Sequence, residues 1–384
     1  MKLVSVLLAV GCTMSAVHAQ WQEKTILLPD SFGALKNPQC LAYNATNNTI
    51  YVGGSSAFVI DIDGTTNQRI TGIPTGANVQ ALCCNPTDNK VYCASWGGQN
   101  VSVIDCAADS VVALVTSSWP WALCHNPTND KIYCANAGSA SVTVIDGATD
   151  SVIEVVAVGS YPSALCYNPT NNRIYCADGN GLTVIDGATD DVIDTVAAYG
   201  STLCYNPTSN KVYCASQDHD RVAVIDGAAD TVLATLAAGD MPYALCYNAT
   251  NNKVYCANKG SASVDSTVTV IDGVTNGVIA TVVAGYRPYA LCYNPTNNKV
   301  YCANDSSNSV TVIGGATNSV IATVAAGNEP YALCYNATDN KVCCANHASN
   351  DVNVIDGRTD SVVATVVLSG NPRALCYNST DNKV

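Results

Sequence analysis

The chain has 384 residues, of which 48% are hydrophobic, and its 30 acidic and 17 basic side chains give a formal net charge of −13. A surface of this sign repels a phosphate backbone, so the composition disfavours a nucleic-acid partner. The apolar residues are mainly Val, Ala, Ile, Tyr and Cys, which favour short strands, and no long helical periodicity is present.

Residues 1–19 have the pattern of a signal peptide, with Lys2, an apolar stretch over 3–10, and small residues at Val17 and Ala19. We expect cleavage before residue 20 and an extracytoplasmic mature chain, either secreted, periplasmic or on the cell surface. The sequence around Cys12 is a poor match to a lipid-attachment site, because Ala9 stands where a larger aliphatic residue is usual. No later stretch is apolar enough to span a bilayer.

The rest of the chain repeats one unit, and residues 288–327 are its clearest copy. Successive copies start 38 to 46 residues apart, which is the period expected for four-stranded propeller blades. Each copy is marked by the Leu of an Ala-Leu-Cys-Tyr motif, at Leu41, Leu82, Leu123, Leu165, Leu203, Leu245, Leu291, Leu333 and Leu375.

Within a copy, strands a and b, such as 290–294 and 299–303, form a hairpin closed by Pro-Thr-Asn-Asn. Strands c and d, such as 141–146 and 151–157, form a second hairpin around Asp-Gly-Ala-Thr. The a and b strands are apolar on both faces, so each small sheet must be covered on both sides by its neighbours. Sequence variation is concentrated in the b–c and d–a loops, which share one face of a propeller, and we expect this to be the binding face.

We therefore predict an all-β fold, a single β-propeller of four-stranded antiparallel blades over residues 20–384. Eight blades are favoured, with seven or nine as alternatives. Residues 23–30 have the pattern of a lone d strand, and residues 374–384 that of a strand a with b just begun. These two fragments could complete one blade, and the abrupt end at Val384 suggests that the sequence is truncated.

These motifs resemble the YVTN-repeat β-propeller family. The tetrad appears as Tyr-Cys-Ala-Asn at 133–136, 255–258 and 301–304, with Val-Ile-Asp-Gly and Gly-x-x-Pro, as at 285–288, elsewhere in the repeat. The resemblance covers residues 24–384 and implies a propeller. It implies little about activity, because the family includes surface-layer, periplasmic and assorted binding proteins. The chain departs from the family by placing Cys in strands a and b.

Seven copies carry two cysteines ten residues apart, which we expect to face each other across the a–b hairpin and form disulfides after export. The alternative is that Cys serves as a small buried apolar residue. Each hairpin supplies two possible metal ligands and no His at a fixed offset, so we expect no metal and no cofactor. Cys40, Cys84, Cys106 and Cys343 lie outside the pairs. The predicted pairs are Cys83/Cys93, Cys124/Cys134, Cys166/Cys176, Cys204/Cys214, Cys246/Cys256, Cys292/Cys302 and Cys334/Cys344.

Two further residue types recur once per repeat. A Lys or Arg follows each a–b turn, as at Lys131 and Arg173, and we expect it to be solvated there. An Asp precedes the c–d turn, and we expect it to stabilise that turn rather than to bind calcium, which needs six to eight converging oxygens. The Asp positions are Asp61, Asp105, Asp146, Asp186, Asp226, Asp272 and Asp356.

Aromatic residues cluster at the variable loops, where Tyr and Trp suit sugar stacking or a protein partner. The alternative is that the aromatic after Pro packs between blades. The binding candidates are Trp96, Trp119, Trp121, Tyr161, His219, Tyr243, Tyr286, Tyr289 and Tyr331.

No acid–base pair or nucleophile motif is present, so the leading hypothesis is a monomeric, non-catalytic binding or scaffold module for a protein or glycan. The alternatives are a lactonase-like or redox enzyme with an axial site, and a purely structural array held by disulfides.

Overall fold

The computed structural model describes residue 35 and residues 37–260 and 266–384. The predicted signal peptide over 1–19, Cys12 and the fragment over 23–30 lie outside these residues. All regular secondary structure in the described part of the chain is β-strand. That part contains no helix long and apolar enough to cross a membrane.

Thirty-two strands are present in the described residues. The first four blades contain β1 (Cys40–Asn44), β2 (Thr49–Gly53), β3 (Phe58–Asp63), β4 (Arg69–Pro74), β5 (Val79–Asn85), β6 (Lys90–Ser95), β7 (Asn100–Asp105), β8 (Ser110–Thr116), β9 (Pro120–Asn126), β10 (Lys131–Asn136), β11 (Ser141–Asp146), β12 (Val152–Ala157), β13 (Ala164–Asn168), β14 (Arg173–Asp178), β15 (Gly181–Asp186) and β16 (Val192–Val196). The last four contain β17 (Thr202–Asn206), β18 (Lys211–Ser216), β19 (Arg221–Asp226), β20 (Val232–Ala237), β21 (Pro242–Asn248), β22 (Lys253–Asn258), β23 (Thr267–Asp272), β24 (Val278–Val283), β25 (Pro288–Asn294), β26 (Lys299–Asn304), β27 (Ser309–Gly314), β28 (Ser319–Ala325), β29 (Pro330–Asn336), β30 (Lys341–Asn346), β31 (Asp351–Asp356) and β32 (Ser361–Val367).

The strands form eight antiparallel sheets of four, each with its strands in chain order. The first strands of neighbouring blades contact one another, whereas the fourth strands are largely exposed, so the first strands line the axis. The predicted all-β propeller with eight four-stranded blades is confirmed.

The C-terminal segment occupies the ring position between blade 8 and blade 1. Asn336 at the end of β29 donates its side-chain amide to Asn382 over 2.8 Å, and Asn378 donates in turn to Asn48 of blade 1 over 2.9 Å. The same amide contact joins blade 3 to blade 4, from Asn126 to Asn172 over 2.7 Å. The segment that follows β32 therefore contacts blade 1 as a blade would, although its pairing is limited to one isolated bridge.

The hydrophobic core is divided among the interfaces between blades. At the interface of blades 4 and 5, Tyr175 and Val184 pack against Val212 and Ile225, and all four side chains are fully buried. The other interfaces repeat this arrangement with equivalent residues. Because each blade buries its faces against its neighbours, no blade has a complete core of its own.

The strand register contradicts the predicted hairpin disulfides. A four-residue turn pairs Asn294 with Lys299, so Cys292 lies opposite Tyr301, and Cys302 lies opposite Leu291. Side chains alternate between the two faces of a strand, so an offset of one residue places the two cysteines on opposite faces of the sheet.

The two thiols of one hairpin accordingly enter different cores. Cys292 packs at the interface of blades 7 and 8, and Cys302 at the interface of blades 6 and 7. All fourteen paired candidates are free thiols. Burial raises the pKa of the Cys292 thiol to about 12. The prediction of seven hairpin disulfides is therefore wrong, and, apart from Cys334, these cysteines act as small buried apolar residues.

The basic residue after the a–b turn is buried and joins two blades, contrary to the expectation that it is solvated. Lys131 Nζ lies 2.7 Å from the Asp190 carboxylate in the c–d turn of the next blade, and it also donates to the Gly187 carbonyl oxygen. The hydroxyl of Tyr133 donates to the same carboxylate over 2.7 Å. Equivalent pairs are Lys90–Asp150, Arg173–Asp230, Lys299–Asp360, Lys211–Asn276 and Lys253–Asn318.

The Asp before the c–d turn caps that turn, as predicted. The Asp146 carboxylate accepts hydrogen bonds from the backbone and the hydroxyl of Thr149, both at 2.8 Å, and these bonds lower its pKa. In blade 1 the capping residue is Asp63, not the predicted Asp61. Asp61 lies two residues earlier, opposite Tyr51, where other blades carry Val.

Substitution of Asp190 tests the contact between blades. Asp190→Ala leaves the Lys131 ammonium group, whose side chain is 11% exposed, without its carboxylate. We expect a loss of about 3–5 kcal/mol in the free energy of unfolding, the usual cost of an uncompensated buried charge. Asp190→Asn should cost much less, because Asn276 fills this place opposite Lys211. Guanidinium unfolding measures both, and equal midpoints for Asp190→Ala and the unaltered chain would contradict the account.

Asp61 is a buried acid that makes stability depend on pH. Its side chain is fully buried, and burial together with the nearby Asp109 carboxylate raises its pKa from 3.8 to about 7. The folded state therefore holds this proton more tightly than the unfolded state. The resulting stabilisation is complete below about pH 4 and is lost as the pH rises through 7.

Asp61→Val introduces the residue that Val144 provides in blade 3, and we expect it to flatten the pH dependence. Between pH 4 and pH 8 the unaltered chain should lose about 4 kcal/mol of stability that the variant keeps, since a rise in pKa from 3.8 to about 7 corresponds to this free energy at about 1.4 kcal/mol per unit. Thermal unfolding from pH 4 to pH 8 measures this difference. Asp63→Asn serves as the control, because this Asp has a lowered pKa and should not remove the slope. An unchanged slope in Asp61→Val would count against the assignment.

Candidate binding site on the loop face

The b–c loop of each blade lies against the d–a loop that leads into the same blade. Trp96 donates its backbone N–H to the Asn78 carbonyl over 3.0 Å, and Ala137 donates to Trp119 over 3.1 Å. The same contact recurs between Lys259 and Met241 at 2.9 Å. The two variable loops therefore form one surface, as the sequence predicts, which we call the loop face.

In blades 2 to 4 and 6 to 8, one residue at the entry to the first strand is held in the left-handed backbone region. This conformation costs a non-glycine residue about 1–2 kcal/mol, and Asn tolerates it best. Blade 2 has Asn78 there with φ of 56°, whereas the other positions carry larger side chains. They are Trp119 (52°), Tyr161 (51°), Met241 (53°), Arg287 (56°) and Glu329 (55°). The left-handed conformation recurs at these positions whatever the side chain, so backbone preference does not explain why Trp119 and Tyr161 are aromatic.

The residue after Pro lies in a β-bulge at the start of the first strand. In blade 7, Pro288 pairs with Asn304 and Ala290 with Ala303, so Tyr289 has no partner in the ladder. Gln80, Trp121, Tyr243 and Tyr331 are displaced in the same way. A bulge redirects the side chain of its extra residue, here at the end of the first strands beside the loop face.

Three of the predicted site residues, Tyr243, Tyr289 and Tyr331, lie ring against ring in a row across blades 6, 7 and 8. The rings of Tyr243 and Tyr289 have centroids 4.6 Å apart, and those of Tyr289 and Tyr331 are 4.5 Å apart. Their hydroxyls form a chain of two 2.8 Å hydrogen bonds. Lys259 Nζ lies 4.5 Å from the centre of the Tyr243 ring, and His347 lies beyond Tyr331. Because these rings lie against one another, the structure favours packing between blades over ligand binding for these three tyrosines.

Another group of aromatic residues is exposed around blades 2 to 4. Trp96 is 37% exposed, Trp119 42%, Trp121 46% and Tyr161 71%. The Trp96 and Trp119 rings are tilted, with centroids 5.8 Å apart. Tyr286, on the opposite part of the ring in blade 7, is 50% exposed and has no ring partner among the described residues.

A pocket of about 290 Å³ lies within this exposed group, between blades 3 and 4. It is lined by Trp119, residues 137–140, Ser160 and Tyr161, none of which is charged. Gly138 allows the indole to approach the b–c loop, because an added Cβ there would lie 3.0 Å from the Trp119 ring. We call this set of residues the aromatic pocket. The sequence indicated its two rings but not the serines, because their place depends on how two blades meet.

The three described histidines lie on different blades and do not form an acid–base group. His219 Nδ1 contacts Ser216 Oγ at 2.9 Å, next to the exposed ring of Tyr199. His347 contacts Glu329 at 3.1 Å, and His125 lies 3.5 Å from Asp130 in the a–b turn region. Across the described ranges, no three His, Cys, Asp or Glu side chains are close enough to hold a metal ion. Tyr199 was not predicted, because its loop over residues 197–201 contains no Pro.

Solved propellers resemble this chain in fold. It aligns with dihydro-heme d1 dehydrogenase NirN in complex with DHE with a TM-score of 0.70 and 14% identity, covering 91% of this chain and 78% of that one. The computationally designed Ika8 protein gives a TM-score of 0.64 at 18% identity, with 81% and 94% covered. Apo AztD from Citrobacter koseri gives 0.59 at 12% identity, with 85% and 95% covered.

These similarities establish the propeller fold and leave the activity open, because the neighbours include an enzyme and have very low identity. No protein-family profile and no curated protein matches the sequence. Membership of the YVTN-repeat family therefore stays a prediction.

Proposed function

We propose that this protein is an extracytoplasmic, non-catalytic binding module of the YVTN-repeat type, and that its loop face binds a glycan in the aromatic pocket. The observation that carries the proposal is the pocket between blades 3 and 4, with an exposed indole on one side and an exposed phenol on the other. The signal-peptide pattern over residues 1–19 supports a location outside the cytoplasm.

A neutral sugar suits the chemistry of this pocket better than a charged ligand. Trp119 and Tyr161 offer aromatic faces for the apolar face of a sugar ring, while Ser139 and Ser160 offer hydroxyls to its polar edge. The lining has no charged side chain, and the net charge of −13 repels anionic polymers. The volume of about 290 Å³ is at the small end for ligand pockets and fits one or two sugar rings.

A second candidate is a self-associating structural array, which the outer strands favour. Apolar side chains of the fourth strands are exposed around the ring, including Ile153 at 42%, Ile279 at 44% and Ile321 at 46%. Each fourth strand is also the free edge of its sheet, and apolar edge strands pair readily with other chains. In this case the loops would be dispensable, and lysines placed on the fourth strands would disrupt assembly.

The binding proposal predicts that Trp119→Asn and Tyr161→Asn abolish glycan binding without unfolding the protein. Asn is suited to these positions, because Asn78 holds the same backbone conformation in blade 2. We expect at least a tenfold loss of affinity with an unfolding midpoint equal to or slightly above that of the unaltered chain. The measurement is binding of the labelled full chain to an array of neutral oligosaccharides, followed by titration calorimetry on the strongest ligand.

Tyr286→Asn is the matched control, because this tyrosine is exposed but lies outside the pocket. It should bind as the unaltered chain does. If no neutral oligosaccharide binds above the level of Trp119→Asn, the proposal is wrong. Binding of an isolated surface protein, lost in the same two variants, would instead identify a protein partner at this site.

A further inference from the structure

Blade 8 differs from the other blades at one position of its second strand. In β30 (Lys341–Asn346), Cys343 stands where the second strands of the other seven blades carry a buried tyrosine. The register of the hairpin pairs Cys334 directly with Cys343. In blade 7 the equivalent pair is Cys292 with Tyr301, and in blade 6 it is Cys246 with Tyr255.

In the seven predicted disulfide pairs, the two cysteines are not directly opposite each other. Two residues directly opposed in an antiparallel pair project from the same face, with Cα atoms about 4.5–5.5 Å apart. Disulfides join Cα atoms about 4.4–6.8 Å apart and Cβ atoms about 3.5–4.5 Å apart, so a directly opposed pair can be bridged after a modest adjustment. In the described hairpins, Cys334 and Cys343 are the cysteines paired in this way.

Cys334 and Cys343 are both thiols in the structure. We propose that oxidation joins them in a disulfide within the a–b hairpin of blade 8. The link would connect the first and second strands of the blade that adjoins the C-terminal segment. It is independent of glycan binding, because the pair lies in blade 8 and the aromatic pocket lies between blades 3 and 4.

The bond forms by thiol–disulfide exchange with a small-molecule or protein disulfide, R–S–S–R. One cysteine thiolate attacks a sulfur of R–S–S–R and releases one R–S⁻, which gives a mixed disulfide. The second cysteine thiolate then attacks the protein sulfur of that mixed disulfide and releases the other R–S⁻. In total the two cysteines lose two protons and two electrons, and R–S–S–R is reduced to two R–SH.

Exposure indicates the order and the timing of these steps. Cys343 is 2% exposed, whereas Cys334 is half-buried, so in the folded chain Cys334 meets the oxidant first. Burial raises the pKa of both thiols to about 12, which leaves little thiolate in the folded protein. The exchange should therefore be fast while the blade is still folding and slow once it is packed. For the same reason, reductants should attack the finished bond slowly.

Cys334 has two competing partners. Cys292 of blade 7 is near both Cys334 and Cys343, but it lies in a different sheet, with no strand pairing to set the distance. The other is Cys376 in the C-terminal segment, which is near enough to affect the titration of Cys334. That contact crosses from blade 8 to the next ring position and has no strand pairing to set its distance, because the segment forms one isolated bridge between Asn378 and Lys383. The hairpin register favours Cys343 over Cys376.

The test is to fold the full chain in a buffer of reduced and oxidised glutathione at pH 8. Remaining thiols are then alkylated in denaturant, and the protein is digested without reduction. A protease that cuts after Lys341 separates the two cysteines, so a bond appears in the mass spectrum as two joined peptides, lighter by two hydrogen atoms than their sum. We expect this linked species to account for most of Cys334 and Cys343, with the other hairpin cysteines alkylated.

Two variants make the result specific. Cys343→Tyr restores the residue of the other blades and should leave Cys334 alkylated, and Cys334→Ser should free Cys343. Tyr301→Cys creates the same opposition in blade 7 and should produce a new link between positions 292 and 301. Full alkylation of Cys334 and Cys343 in the unaltered chain, or a link from Cys334 to Cys376, would overturn the proposal.

Discussion

The ring depends on the contact that the second strands of blades 2 to 7 make with the c–d turn of the next blade. Lys131 and Tyr133 both reach Asp190, and the turn's carbonyl oxygens accept the remaining ammonium hydrogens. A buried ammonium group is stable when it is paired and fully hydrogen-bonded. Since no blade has a complete core of its own, this contact and the chain of side-chain amides from blade to blade determine how neighbouring sheets meet.

The loop face can vary because the contacts that hold the ring lie elsewhere. The contacts that hold the ring involve the a–b and c–d turns, whereas the b–c and d–a loops bond mainly to each other. A substitution in those loops therefore leaves the contacts made by the a–b and c–d turns intact. Trp119 and Tyr161 hold a backbone conformation that Asn would adopt more easily, which is consistent with side chains retained for a ligand rather than for folding.

The sequence predicted the blades and the loop face well, because both follow from local periodicity and turn residues. It failed where the answer depended on register or on the next blade. The hairpin disulfides require Cys292 to lie opposite Cys302, but the four-residue turn pairs Asn294 with Lys299, so Cys292 lies opposite Tyr301. The burial of Lys131 could not be seen in a single repeat, because its partner lies 59 residues away. The sequence predicted the two rings of the aromatic pocket, which stand directly before Pro120 and Pro162, but not its walls, which come from two blades.

If the loops carry the binding site and the ring only presents it, the aromatic pocket can be transferred to another pair of blades. In the Trp119→Asn variant, the pocket would be rebuilt between blades 7 and 8 with Arg287→Trp, Glu329→Tyr, Asn328→Ser and Ala-Gly-Ser-Ala in place of residues 305–308. We titrate this variant by calorimetry with the oligosaccharide that the unaltered chain binds, and we expect binding to be restored at the new site. A folded graft that does not bind this oligosaccharide would contradict it.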